Sequence, residues 1–549
     1  MESKFAPRVL TRPFRRALDA FACSPLVRWT WGGLSESSFS GALVEFRPAD
    51  GQMIDDMLIG RYVLAGRLVE TGGHSPFAFE PPDLQFEEEL DSFSWLRHFA
   101  ASRSPEHNSF ARMLVLDWIT RNGRFNSTAW GHRRTALRIM NWMRHLPLVM
   151  DGATRDQART ISRALSAQIQ MLRTRRGLAP DPAHNILAAL ALAAASLCTE
   201  APSETIRRRL SRLMALLGAQ IGRDGMHLSR NPAVQVEILT ELASIRLTLS
   251  QHSEIDMPGL VPIADRMHGA IDLLTLPTGE PAFFNGAGPM PVDLVMALQA
   301  QSLAKRPQGG TVGGYARLAD GRSALIADSG QIPPPGLGRS STASALALEF
   351  VHGGDLVFGS CGPALGGGPE RRLAHRLGPA FSGPTIDGIS SARLPRSAGP
   401  SSGLIASGAP PEMEFSNGEP SIALTCHAFE KSAGCTLVRR LSLLADGDTL
   451  VGRDRILAAG RGVNGDRLEL RFHMAPRAIV EQEADGQTVR LTMQSGTGWS
   501  FMCEGASLEL EESVRQTGHF GLLPTQMIVL TAPLCADHEI AWILTRQTG

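Results

Sequence analysis

Residues 305–330 read KRPQGGTVGGYARLADGRSALIADSG, and the hydrophobic period of the chain changes inside this stretch. Before it, apolar residues recur at helical spacing; after it, they alternate. Asp320-Gly321 lies between two runs of strand-forming residues and supplies the positive φ angles that a tight hairpin requires. The same strand–turn–strand form returns in LSLLADGDTLVGRDRIL (441–457), in VEQEADGQTVRLTMQ (480–494) and, with Gly-Gly, in LEFVHGGDLVFGS (348–360). Hairpins continue to IAWILTR (540–546), so residues 311–549 are expected to form an antiparallel β-sandwich rather than a parallel α/β sheet. The Gly/Pro/Ser-rich segment 395–420 reads as a long loop within it.

Upstream the period is helical. In TISRALSAQIQMLRTRR (160–176), Ile161, Leu165, Ile169 and Leu172 make one stripe, with arginines on the opposite face. SETIRRRLSRLMALLGAQIG (203–222) starts at an N-cap candidate, Ser203, and ends at Gly222. NILAALALAAASLC (185–198) is apolar on every face and is expected to be a central helix covered by its neighbours. Further helices are expected near 109–121, 132–145, 232–249 and 258–276. Short connections make successive helices antiparallel neighbours, so residues 86–300 read as a stack of helical hairpins, with 1–85 as an extension packed on it.

At 549 residues the chain is too long for one core. Lys plus Arg and Asp plus Glu are equal at 54 each, which gives no reason to expect a nucleic-acid partner. The cations are nearly all arginine, lysine standing only at Lys4, Lys305 and Lys431. Seven cysteines form no Cys-x-x-Cys pair and are odd in number, which argues against a disulfide framework or a structural zinc. Cys426 and Cys435 are candidates to face each other across a hairpin. No apolar run approaches the roughly 20 residues of a bilayer span. The N-terminus, MESKFAPRVLTRPFRRALDAFACSPLVRWTW (1–31), lacks the apolar core and cleavage site of a signal peptide, so the expected location is cytoplasmic, with export by another route left open. As a basic amphipathic stretch it is also a candidate to rest on a membrane surface.

Seven segments in order carry a family resemblance. YARLADGRSALIADSG, ALALEFVHGGDLVFGSCG, VRRLSLLADGDTLVGRDRI, LRFHMAPRAIV and GWSFMCEGASLELEESV resemble the C-terminal β domain of the heparinase II/III family. WGHRRTALRIMNWMRHLPLV (130–149) and GRDGMHLSRNPAVQVEIL (222–239) resemble its helical half. The resemblance implies an (α/α) toroid followed by a β-sandwich, an acidic, uronate-containing polysaccharide as ligand, and β-elimination as the reaction. That chemistry needs a group to neutralise the uronate carboxylate, a base for the C5 proton and an acid for the departing O4. The family typically uses Asn or a cation for the first task, and Tyr and His for the others.

Carried over residue by residue, the pattern is incomplete. The Tyr expected two residues after the helix-starting Pro232 is Val234, and the two β-domain His positions hold Thr342 and Phe381. The Asn-His pair that opens the central helix aligns with Asp181-Pro182, next to His184-Asn185. Some members hold a structural zinc through β-domain histidines, and losing two of those positions argues against that metal here; no cofactor is implied. What remains are His227 and Arg230, placed before Pro232 where a helix start holds side chains into a cleft, and His427 on the β side as further catalytic candidate. Asn231, Trp130 (a sugar-stacking candidate at a helix start), Arg134 and Tyr315 are the substrate-binding candidates. His473 reads as a structural strand residue and Trp142 as core. Two readings stay open: a lyase with substitute proton carriers, and a non-catalytic descendant that binds or organises an acidic glycan. A neutral-sugar hydrolase is remoter, since no carboxylate pair is evident.

Overall fold

The computed structural model describes residues 12–32, 39–102, 104–252, 254–302, 307–396, 398–400, 402–416, 420–460, 462–518 and 521–547. They fall into two compact units. The first takes the described residues up to Ile221, with Glu237–Asp265 and Met296–Ser302; the second takes Gly222–Val236, Arg266–Val295 and the described residues beyond Ser302. The chain is therefore cut differently from the 86–300 and 311–549 blocks expected from the change of period. The loop after Ile221, the first turn of the helix that follows it, and residues 266–295 pack with the sheets.

The helical unit is built as its periodicity requires. Pro105–Asn122, His132–Met150, Arg155–Thr174, Pro182–Leu197 and Ser203–Gln220 follow one another through short turns. Pro182–Leu197 is buried without interruption from Ile186 to Leu197 and packs against His132–Met150 and Ser203–Gln220. Its start is set by Asp181, whose carboxylate accepts from Ala183 N, with Pro182 in the first turn. Thr154 and Gln157 form a reciprocal capping box ahead of Arg155–Thr174. Ser203 is the first helical residue rather than the cap, which is Pro202. The helix closes at Gln220 because Gly222 N already donates to Met226 O (2.7 Å) in the next turn.

The second unit is a sandwich of two antiparallel sheets. The nine-stranded sheet runs Ser507–Thr517, Gly521–Pro533, Arg467–Met474, Asp355–Gly359, Leu348–His352, Ser323–Asp328, Tyr315–Asp320, Gly310–Val312, with Pro384–Ile386 also paired to Arg467–Met474. The eight-stranded sheet runs Glu412–Ser416, Ser421–Cys426, Cys435–Leu444, Thr449–Ala458, Glu539–Gln547, Gly498–Glu504, Thr488–Thr492, Ile479–Gln482. All four hairpins expected from Asp-Gly and Gly-Gly are present. Segment 395–420 is not loop throughout. Glu412–Ser416 is an edge strand, because Met413 and Phe415 alternate onto the core while its backbone pairs with Ser421–Cys426. Cys426 stands opposite Leu437, so it does not face Cys435, and all seven cysteines are free.

The centre of the sandwich is aromatic and includes the buried ion pair of Arg439 and Asp454. Trp542 lies 4.8 Å from Phe472 and its indole N–H donates to Asp454 (3.0 Å). Asp454 also binds Arg439 (2.6 and 3.1 Å), whose other nitrogen reaches Leu346 O at 2.6 Å. Gly452 stands directly across from Trp542, and a Cβ there would lie 2.0 Å from the indole ring. Only a bare backbone leaves room for the ring that satisfies Asp454. Gly452→Ala is therefore expected to lower unfolding stability by about 1–3 kcal/mol through overpacking. Urea denaturation checks this, and an unchanged midpoint would show that the indole moves aside without cost.

Candidate functional site

The loop Gly222–Asn231 is shaped by its own polar groups. Asp224 accepts from Met226 N (3.1 Å) and Gly313 N (2.6 Å). Gly225, at φ +89°, packs so closely that a Cβ would lie 2.0 Å from Arg266 O. Asn231 caps the following helix by accepting from Ala233 N (2.8 Å), and its amide nitrogen reaches Ser340 Oγ at 3.1 Å.

Arg230 sits between these features at φ +58°, a left-handed conformation uncommon for a residue with a side chain. Its guanidinium donates to Asp328 Oδ1 (2.5 Å), Gly313 O (2.5 Å) and Gln331 O, and lies 4.3 Å over the Tyr315 ring. Gly314 permits this approach, since a Cβ there would stand 3.2 Å from the Arg230 Nη2.

The bonds then close on themselves. Asp328 Oδ2 accepts from Ser344 Oγ (2.7 Å), and Ser344 Oγ meets Thr342 Oγ1 (2.7 Å). Thr342 and Asn285 exchange bonds, each backbone N–H donating to the other's side-chain oxygen at 3.2 Å. Asn285 Nδ2 donates to Tyr315 Oη (2.5 Å), and Tyr315 donates back to Arg230 O (2.7 Å). Arg230, Asp328, Ser344, Thr342, Asn285 and Tyr315 thus form a ring of hydrogen bonds in which every member is buried.

This geometry corrects the expectation of side chains held out into a cleft. Arg230 is 4% exposed and His227 is fully buried. The physical reason is Asp328, a carboxylate at the end of the wholly buried strand Ser323–Asp328, which takes the guanidinium that a ligand would otherwise use. His227 Nδ1 accepts from Ser229 N (3.1 Å) and meets Ser229 Oγ (2.7 Å), and the His227 backbone N–H donates to Gln235 Oε1 (2.9 Å). Burial pushes its imidazole down to about 4, so it is neutral at physiological pH. Burial likewise pushes the Tyr315 phenol up, partly opposed by the Arg230 charge.

The two vacated β-domain positions are filled rather than empty. Thr342 is a link in the ring, and Phe381 stacks on Phe284 (6.4 Å, 16°), which stacks on Tyr315 (5.5 Å, 29°). His473 is buried between Ser513 Oγ (2.6 Å) and Pro379 O (3.0 Å) and is pushed down to about 4 by burial. His427 stands elsewhere in the same unit, half-buried. Its Nδ1 is 2.7 Å from Glu430 and its Nε2 3.6 Å from Glu412, and none of its partners belongs to the ring.

In the helical unit, Trp130 is only 3% exposed and is no open platform: it stacks on Trp31 (5.9 Å, 18°) and donates to Asn122 O (2.7 Å). Arg134 is buried with Asp91 (3.1 Å) and Glu87 (3.0 Å). Both corrections have one cause, that an amphipathic helix start was covered by residues far away in sequence. Asp328, Ser344 and Asn285 were missed; an acid following the apolar run Ala324–Ala327 was the available signal, since such a charge demands a partner.

The Heparinase II/III-like, C-terminal family matches residues 304–543. That match places the sheet-forming part of the chain in a heparinase II/III-like C-terminal domain. The chain is 27% identical over 543 residues to FtsZ-localized protein C of Caulobacter vibrioides (strain NA1000 / CB15N), covering 92% of this chain and 90% of that protein. Among solved structures, heparinase III superposes with a TM-score of 0.69 at 13% identity, over 99% of this chain and 90% of that one. A mutant of the heparan sulfate lyase HepC from Pedobacter heparinus gives 0.60 at 13%, over 98% and 89%. These structures share the helical-toroid and β-sandwich fold of this chain.

Arg230→Ala leaves Asp328 charged, buried and unpaired, and is expected to cost about 3–5 kcal/mol of stability. Asp328→Ala should cost a comparable amount, and the double variant much less than the sum. Chemical denaturation of the three variants reads this directly; additive effects would mean that the two residues do not act through each other.

Proposed function

We propose that this protein is a non-catalytic relative of the polysaccharide lyases, which binds an acidic, uronate-containing polysaccharide and localises with FtsZ. The observation that supports it is the closed ring around Arg230. Elimination at a uronate requires a free cation or amide for the carboxylate, a base and an acid. Here the guanidinium is already saturated by Asp328 and two carbonyls, His227 is buried and neutral, and the Tyr315 phenol is committed to Arg230 O. Thr342 and Phe381, which have no proton to exchange near neutral pH, hold the positions of the family histidines. The relative that spans nearly the whole chain is named for its localisation with FtsZ and not for a lyase activity.

Incubation with heparan sulfate and with polyuronates should yield no ultraviolet-absorbing unsaturated ends, while glycan binding is measurable and the protein co-sediments with FtsZ polymers. Unsaturated ends that vanish in His427→Ala would restore the lyase reading, because the His427 side chain keeps 16% exposure where His227 has none.

A specific feature also supports peripheral membrane contact. Helix Arg12–Ala22 is pinned by Asp19, which binds Arg175 at 2.8 Å through both oxygens. That contact leaves Phe14, Leu18, Phe21, Leu26 and Trp29 between 40% and 79% exposed, with Arg15, Arg16 and Arg28 among them. An apolar face flanked by cations suits the interface of an anionic bilayer. Phe21→Asp with Leu26→Asp should reduce co-sedimentation with phosphatidylglycerol vesicles by at least about tenfold, given about 1.5–3 kcal/mol per buried side chain. Undiminished vesicle binding would remove this helix from any membrane role.

A further inference from the structure

A second feature of the helical unit shares no residue with the Arg230 ring or the N-terminal helix. The end of Arg155–Thr174, the turn after it, and one face of Ser203–Gln220 bring five arginines around a single cavity of about 450 Å³: Arg173, Arg176, Arg208, Arg209 and Arg212. Among the described residues no carboxylate lines it. The acids on the surrounding elements are Asp156, Asp181 and Glu204, all at helix starts and none at the cavity wall. Arg173, Arg176, Arg208 and Arg212 are exposed and Arg209 is half-buried, and among the described residues none of the five has an ion-pair partner.

The crowding is electrostatically unfavourable as it stands. Arg209 is half-buried, with Nη1 donating to Leu192 O (2.6 Å). Burial, with the charges of Arg173, Arg208 and Arg176, brings its guanidinium down to about 10; burial and Arg176 also lower that of Arg212. Like charges without counter-charges around a concave wall are what an anion would relieve. The floor, by contrast, is apolar: Ala188, Ala189 and Leu192 from the central helix, and Leu216.

We infer that this cavity is a binding site for a phosphorylated ligand whose phosphate group continues into an apolar body. Guanidinium forks match phosphate oxygens bidentately. Five of them around one cavity favour a group with about two negative charges and three acceptor oxygens over a single carboxylate. The apolar floor takes the part of the ligand next to the phosphate. The same chemistry is offered by a phospholipid headgroup and by a soluble phosphorylated compound.

Isothermal titration of the full chain with inorganic pyrophosphate tests the site, with Arg208→Glu/Arg212→Glu as the disrupting variant and Arg208→Lys/Arg212→Lys as the charge-preserving one. The expected result is saturable binding of one pyrophosphate per chain, weakened at least tenfold by the glutamates and less by the lysines. Circular dichroism and thermal melting of the glutamate variant should match the parent, since the replaced side chains make no ion pair. Binding of phosphatidic acid vesicles that pyrophosphate displaces would identify the lipid headgroup as source; pyrophosphate binding with no effect on vesicles would identify a soluble ligand. Absence of saturable binding, or binding equal in the parent and the folded glutamate variant, overturns the inference.

Discussion

A buried guanidinium that must not be left unpaired organises the sheet unit around Arg230. Withdrawing that charge from water is tolerable only because Asp328, two backbone carbonyls and an aromatic face receive it together. Meeting those partners requires a left-handed backbone at Arg230 and two glycines, Gly313 and Gly314, where the first strands approach. The loop that a helical pattern would assign to the other half of the chain is thereby made part of the sheet unit.

The same constraint shapes the chemistry. In a ring of buried polar groups each member satisfies the next, and one left without a partner would be costly. Thr342 fits such a ring because a hydroxyl can meet Ser344 while also accepting from Asn285 N. Phe381 fits beside it because the neighbouring surface is the face of Phe284. Replacement of the family histidines is therefore coherent with the packing around them: the residues that occupy those places add to the core. The sheet unit thus shares the fold of the lyase structures on which it superposes, with Thr342 and Phe381 packed into its interior.

Outside that ring, charge is unevenly distributed. The chain has no net charge, yet its arginines divide into two kinds. Arg134, Arg144, Arg175 and Arg439 are buried against carboxylates and act as structure. Arg173, Arg176, Arg208, Arg209 and Arg212 share a cavity without any. Equal totals of opposite charge conceal this asymmetry, which arises from which carboxylates fold toward which arginines.

Local pattern alone determined the kinds of element and their order. The Asp-Gly turns at 320–321, 446–447 and 485–486 needed only their own φ angles and flanking alternation to specify hairpins, and the apolar run at 185–198 needed only its composition to specify a covered helix. The absence of the family Tyr and His was equally legible, being a matter of which residue stands where. What tertiary structure decided was the direction in which polar side chains point. His227, Arg230 and Trp130 read as exposed because they precede helix starts, and they are buried because Gln235, Asp328 and Trp31 lie against them. Glu412–Ser416 became a strand for a like reason, since a partner strand was there to pair with it. Periodicity is a property of neighbours along the chain, whereas burial and ion pairing depend on neighbours brought together by folding, and no local pattern names those.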